Sequence, residues 1–124
     1  MAIIRFGYAP SFDNDWYSYG LTNDDKSDLE SSIIDFVKKS PQNNGGKKFP
    51  GTIIKDVAGA YKMRFSSEAA PRGKSGAYRL LYIAVHKNQV FFLTVFAKSE
   101  KANITAREKK ELRRVIKKLK ERLK

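Results

Sequence analysis

The sequence predicts an α+β fold in which an N-terminal helix pair and a basic C-terminal helix pack on a small antiparallel sheet. Apolar residues recur at helical spacing over residues 11–40, whereas residues 61–96 contain the alternating and continuous apolar runs that are typical of strands. Residues 105–123 return to a helical period with an apolar stripe. The length of 124 residues suits one domain, residues 1–124, whose core needs no disulfide.

A proline separates the first strand from the first helix. Residues 3–8 predict a short strand, which Pro10 ends. Ser11 is the predicted N-cap of the helix, because acidic residues follow it in the first turn, where the helix dipole favours them. Gly20 ends this helix.

A second, longer helix forms an antiparallel pair with the first. Thr22 is followed three residues later by Asp25, which is the spacing of a capping box. Apolar residues then recur at helical spacing as far as Ser40. Residues 42–51 are rich in Asn, Gly and Lys and predict a loop.

The remaining strands of the predicted sheet alternate at first and then become continuously apolar. In residues 61–65 apolar side chains alternate with Lys62 and Arg64, so both cations are expected on one face. After a polar loop, the apolar runs over residues 78–85 and 90–96 predict a hairpin. Because these runs are apolar at nearly every position, the hairpin is expected at the centre of the sheet.

The C-terminal helix is amphipathic and strongly basic. Thr105 and Glu108 predict a capping box at its start. The apolar stripe indicates a helix packed on the sheet, and the other face is almost entirely Lys, Arg and Glu. That face is either a solvated surface or one that meets phosphates or an acidic partner, and the sequence leaves both interpretations open.

Charge is distributed unevenly along the chain. The 25 Lys and Arg residues against 13 Asp and Glu residues leave a net charge of +12. Residues 1–46 carry 4 basic and 7 acidic side chains, whereas residues 47–124 carry 21 basic and 6 acidic ones. A positive field of this size attracts polyanions, so nucleic acid or an acidic protein is the expected partner.

Several classes of protein and of site are excluded or disfavoured. The chain has no cysteine, which excludes disulfides, thiolate metal sites and cysteine nucleophiles. The longest apolar run, residues 90–97, is too short to span a bilayer, and the N-terminus does not resemble a signal peptide. We therefore expect a cytoplasmic protein with no membrane association.

The remaining motifs that suggest chemistry have simpler explanations. Gly73, Lys74 and Ser75 resemble the end of a P-loop, but position 68 is Glu68 where the motif requires glycine. The acidic residues at the start of the second helix are explained by the helix dipole, so no metal site is expected. His86 is the only histidine and lies in the predicted hairpin turn. Neither a metal nor a small-molecule cofactor is predicted.

A set of basic residues surrounds the predicted strands and can converge on one surface. Such a surface can bind a phosphodiester and stabilise the charge that develops when a 2′-hydroxyl attacks it. The residue pattern suits a plain RNA-binding groove equally well. The set consists of Lys62, Arg64, Arg72, Lys74, Arg79 and Lys98.

Three segments carry a resemblance to a known family. These are residues 61–65 (YKMRF), 71–82 (PRGKSGAYRLLY) and 93–101 (LTVFAKSEK). Together they resemble the toxins of type II toxin-antitoxin modules of the RelE superfamily, in its HigB-like branch. The resemblance implies an α+β fold with a curved antiparallel sheet.

The resemblance also implies roles for the basic residues. Lys62 and Arg64 would line the cleft and bind or activate the scissile region, and Arg79 would contact the phosphate and stabilise the transition state. The residues that would bind backbone phosphates are Arg72, Lys74 and Lys98. Many relatives place a tyrosine near the start of the last helix, whereas this chain has Ile104 and Thr105 there.

The function implied is that of an mRNA interferase, a metal-independent endoribonuclease that cuts messenger RNA in the ribosomal A site, beside 16S rRNA. The partners implied are mRNA, the ribosome and a cognate acidic antitoxin that holds the toxin inactive. Two alternatives remain at this point. A ParE-like inhibitor of DNA gyrase would share the fold, and a non-catalytic RNA-binding or ribosome-associated module would share the basic surface.

Overall fold

The structure is a computed structural model that describes residues 4–39, 49–54, 57, 59–66, 78–85, 89–98 and 103–122. The described residues form five strands and three helices. In chain order they are β1 (Arg5–Tyr8), α1 (Pro10–Ser18), α2 (Asn23–Lys38), β2 (Thr52–Ile53), β3 (Tyr61–Phe65), β4 (Tyr78–Val85), β5 (Gln89–Ala97) and α3 (Ala106–Arg122).

The five strands form one sheet in the order β1-β5-β4-β3-β2. Strands β2 to β5 pair antiparallel, and β4 and β5 occupy the interior of the sheet as predicted. The sheet is mostly antiparallel, as predicted, and the exception is β1, which pairs parallel with β5. No hairpin turn joins these two strands, because the rest of the sheet and both N-terminal helices lie between them in the chain, so either direction of pairing is possible.

One face of the sheet packs against α1 and α2 through an aromatic core. Phe12 and Trp16 of α1 are fully buried and stack with ring centroids 5.5 Å apart. Leu29 and Ile33 of α2 are fully buried in the same cluster, which confirms the helical face read from the sequence. The apolar residues of β3 pack in this core, so the alternate residues of the strand, Lys62 and Arg64, lie on the other face of the sheet.

The other face of the sheet packs against α3. Ile116 of the helix is fully buried against Ile83 of β4 and Leu93 of β5. Leu112 and Leu119 flank it at helical spacing. The two faces are therefore covered by different helices, as the two predicted helical regions require. No helix in the described ranges is long and apolar enough to cross a membrane.

The helix starts test the capping predictions. Thr22 and Asp25 form the predicted capping box at the start of α2. Thr105 and Glu108 form the second one, with each side chain bonded to the other residue's backbone N–H at 3.1 and 2.8 Å. The prediction for Ser11 was wrong, because the N-cap is Ala9 and α1 begins at Pro10. Proline suits the first helical position, since its missing N–H needs no partner there.

Candidate functional site

The pairing of β3 with β4 brings three predicted cations together. Arg64 lies directly opposite Arg79, and Lys62 lies two residues from Arg64 on the same face of β3. This is the face that packs against α3 further along, because Ile83 shares it with Arg79. The structure therefore places Lys62, Arg64 and Arg79 on one surface of the sheet.

Two of these cations, Arg64 and Arg79, are directly opposed on neighbouring strands. Directly opposed residues on neighbouring antiparallel strands have Cβ atoms about 4.5–5.5 Å apart, and like charges at that distance destabilise the sheet. The two differ in burial, since Arg79 is only 9% exposed whereas Arg64 is exposed. Two positive charges on neighbouring strands suit a polyanionic ligand at this surface.

A cleft of about 520 Å³ opens over these side chains. Lys62, Arg64 and Arg79 line it together with the segment formed by Pro50, Gly51 and Thr52. Helix α3 contributes nothing to this cleft, because the helix covers the sheet at Ile83 and not at Arg79. The uncovered part of the face is thus cationic, open and large enough for a phosphodiester and its neighbours.

Aromatic packing on the reverse face of the sheet fixes the wall of the cleft. The Tyr82 hydroxyl donates a hydrogen bond to the carbonyl oxygen of Pro50, and Phe49 packs on Tyr61 with centroids 6.0 Å apart. Burial first, and then the neighbouring Tyr61, raises the pKa of Tyr82 well above its usual range. The hydroxyl therefore stays protonated, and Tyr82 is a fully buried core residue, as the strand pattern indicated.

Gly51 allows this wall to approach β3. It has φ +95°, and a Cβ added to it would lie 2.3 Å from the carbonyl oxygen of Lys62. We expect Gly51→Ala to lower the free energy of unfolding by about 2 kcal/mol or more, since it adds a backbone clash to the usual cost of a left-handed alanine. Denaturant unfolding of the purified protein measures this change.

Gly20→Ala is the matched control. Gly20 has φ +83°, but a Cβ there meets nothing within 4 Å. Its substitution should lower the free energy of unfolding by only about 1 kcal/mol, which is the usual cost of a left-handed alanine. Equal losses at Gly51 and Gly20 would show that the close approach to Lys62 contributes nothing to stability.

A second, smaller cleft lies on the other side of Lys62. It measures about 280 Å³ and is lined by Lys62 and Leu81 of the sheet, by Asn103 before α3 and by Lys109 in the first turn of α3. The Lys62 ammonium donates to Asn103 Oδ1 over 3.0 Å. Lys62 therefore belongs to both clefts and connects the sheet to the start of α3.

Two residues that line this cleft, Asn103 and Lys109, were not predicted as site residues from the sequence. Lys109 shares the helical face of Leu112 and Ile116, three and seven residues later, and this spacing was a usable signal that it faces the sheet. Asn103 carried no such signal, because it precedes the helix. Its contact with Lys62 depends on how α3 docks.

Of the other three basic residues predicted for the site, the structure describes only Lys98. Arg72 and Lys74 lie outside the described residues. Lys98 is exposed and directly follows β5, two residues after Phe96, which pairs with Arg79. It lines neither of the two clefts. Within the described ranges, no group of three or more metal-ligating side chains comes together.

The outer face of α3 forms a second basic surface. Its exposed cations are Arg107, Lys110, Arg113, Arg114, Lys117, Lys118, Lys120 and Arg122. The apolar stripe of the same helix packs on the sheet. Both interpretations of this helix are thus compatible, since one face packs on the sheet and the other is exposed to solvent.

Comparison with protein families assigns the chain. Residues 51–124 match the family described as the RelE toxin of the RelE/RelB toxin-antitoxin system. This match spans more than half of the chain. The chain belongs to the RelE toxin family. The matched region of this RelE-family chain contains β2 to β5 and α3, and therefore all three cations of the cleft.

Other comparisons add little to the family match. No curated protein matches the chain with significance. Among solved structures, the E. coli toxin RelE, as a double-arginine mutant in the free state, aligns with a TM-score of 0.49 and 19% identity. The alignment covers 82% of this chain and 88% of that one. Membership of the HigB-like branch stays a prediction.

Proposed function

We propose that this RelE-family chain is an mRNA interferase, an endoribonuclease that cuts messenger RNA in the ribosomal A site. The observation that carries the proposal is the cationic cleft in which Lys62, Arg64 and Arg79 share one face of the sheet. An open cleft with three cations suits a substrate with successive phosphates. It lies over β3 and β4 beside the edge strand β2, outside the cover of α3, and this leaves it open to a strand of RNA.

The chemistry that fits this cleft is transesterification within the RNA strand. The 2′-oxygen attacks the adjacent phosphorus, the bond from phosphorus to the 5′-oxygen breaks, and the products are a 2′,3′-cyclic phosphate and a 5′-hydroxyl. The proton of the 2′-hydroxyl is lost, and the leaving oxygen gains one. Negative charge on the non-bridging oxygens increases in the transition state, so fixed cations accelerate the step.

The depth of each cation indicates its role. Arg79 is the most buried of the three, and a guanidinium held in one orientation can donate two parallel hydrogen bonds to phosphate oxygens. We assign it to the scissile phosphate. Lys62 and Arg64, which are more exposed, bind and activate the scissile region. The roles proposed for Arg72, Lys74 and Lys98 are contacts to the flanking backbone.

Partners follow from the same charges. The exposed basic face of α3 suits phosphates of 16S rRNA near the A site, and the cleft suits mRNA. A cognate antitoxin with an acidic segment would match the charge of either surface. We propose that such an antitoxin inhibits the chain by covering basic surface, and that cleavage needs no metal or other cofactor.

The proposal is tested with purified protein and end-labelled mRNA, free or bound to ribosomes. Ribosome-dependent fragments that end in a cyclic phosphate are expected. Binding of RNA without fragments would favour a non-catalytic RNA-binding module. Gyrase-dependent DNA breaks without RNA fragments would favour a ParE-like gyrase inhibitor, and either result would overturn the proposed nuclease.

A further inference from the structure

We infer that Asn103 is a positioning residue that holds the Lys62 ammonium between the two clefts. The inference rests on the proposed nuclease function, because it concerns how one cation of that site is oriented. Its geometric basis is the 3.0 Å hydrogen bond from Lys62 Nζ to Asn103 Oδ1, which joins residues 41 positions apart in the chain.

The acceptor is itself held by the packing of α3. Ile104, the next residue, packs in the cluster that contains Ile83 and Ile116. Thr105 then begins the helix through its capping box with Glu108. Asn103 is thus fixed relative to the sheet on its C-terminal side, although its own side chain is exposed.

An acceptor held in this way restricts the positions that a flexible lysine side chain can adopt. Four rotatable bonds let an unrestrained ammonium sample many positions, and a single hydrogen bond to a fixed group reduces that freedom. The bond directs Lys62 Nζ towards the segment that precedes α3, and Lys62 also lines the larger cleft with Arg64 and Arg79. The ammonium is therefore held at the boundary where the RNA strand would pass from one cleft to the other.

The amide is suited to this task because it is neutral. A carboxylate at the same place would also accept the hydrogen bond, but it would cancel the positive charge and repel phosphate. An amide oxygen orients the ammonium and leaves its charge available to the substrate. Asparagine and aspartate have nearly the same shape, but at position 103 we expect asparagine to support cleavage and aspartate to weaken it.

Single-turnover cleavage of ribosome-bound mRNA by Asn103→Ala, Asn103→Asp and Lys62→Ala tests the inference. We expect Asn103→Ala to lower the cleavage rate about 3- to 10-fold with little change in the RNA concentration at half-saturation, on the scale of one hydrogen bond. Asn103→Asp should be slower still. In the Lys62→Ala background, Asn103→Ala should have no further effect, because its partner is gone.

Asn23→Ala is the matched control and should cut at the wild-type rate. Asn23 also accepts an exposed side-chain hydrogen bond, from Tyr17 at 2.6 Å, but lies on α2 across the sheet. An Asn103→Ala enzyme with full activity, or an effect that persists undiminished without Lys62, would overturn the inference. An Asn103→Asp enzyme faster than Asn103→Ala would do the same.

A spectroscopic measurement separates this inference from the proposed function. The Lys62 ammonium resonance in ¹⁵N NMR should show slowed proton exchange in the wild-type chain, and Asn103→Ala should remove that protection. Protection in a chain that cuts no RNA would refute the nuclease and leave the positioning contact standing. Unprotected wild-type Lys62 would refute the positioning contact whatever the activity.

Discussion

Arg79→Ala is expected to abolish toxicity and to slow mRNA cleavage by about 100- to 1,000-fold. This is the usual cost of removing one fixed donor to a developing oxyanion. Arg79 is the most buried of the three cleft cations, which favours it as the donor to the scissile phosphate. Rates of cleavage on programmed ribosomes, with growth after induction, measure the effect.

The burial of Arg79 requires a control for folding. The side chain is only 9% exposed, so alanine removes packed volume as well as charge. Arg79→Met keeps most of the volume and should fold like the wild-type chain, as judged by thermal unfolding, while remaining inactive. An active Arg79→Met enzyme would mean that the charge is not needed and would remove Arg79 from the site.

The double variant Lys62→Ala/Arg64→Ala is expected to show the largest loss of activity. Electrostatic and acid–base contributions are each worth about 100-fold or more, so the two losses together should approach about 10⁴-fold if they are independent. Stability should change little, because Arg64 is exposed and Lys62 is only half-buried. Single-turnover kinetics and denaturant unfolding of the same preparations provide both readouts.

Lys38→Ala/Lys39→Ala removes the same net charge from a different place. Both lysines are exposed at the end of α2, which packs on the reverse face of the sheet. This variant should retain nearly full activity. If both double variants lost activity equally, net charge and not the cleft would be responsible, and the assignment of Lys62 and Arg64 would be wrong.

Most of the fold was predictable because its signals are local. The spacing of Leu29 and Ile33 predicted α2, and the alternation over residues 61–65 predicted both the bounds of β3 and the face of its cations. The parallel pairing of β1 was not predictable, because it depends on contacts between distant segments. The two-residue strand β2 is too short to show any alternation.

The cations of the site were predictable one by one, but their arrangement was not, because it depends on strand register. Arg64 and Arg79 were each identified in the sequence, but only the pairing of β3 with β4 makes them direct neighbours. Asn103 reaches Lys62 through the docking of α3, which no periodicity encodes. The burial of Arg79, which is only 9% exposed, was not predicted from the sequence either.

The central claim, that the cationic cleft cuts mRNA, is tested most directly in cells. Wild-type chain and Lys62→Ala/Arg64→Ala are induced separately, and the 5′ ends of a translated reporter mRNA are mapped by primer extension. We predict growth arrest and discrete in-frame cuts with the wild-type chain, and neither with the variant. Arrest without cuts, or cuts that persist in the variant, would contradict the claim.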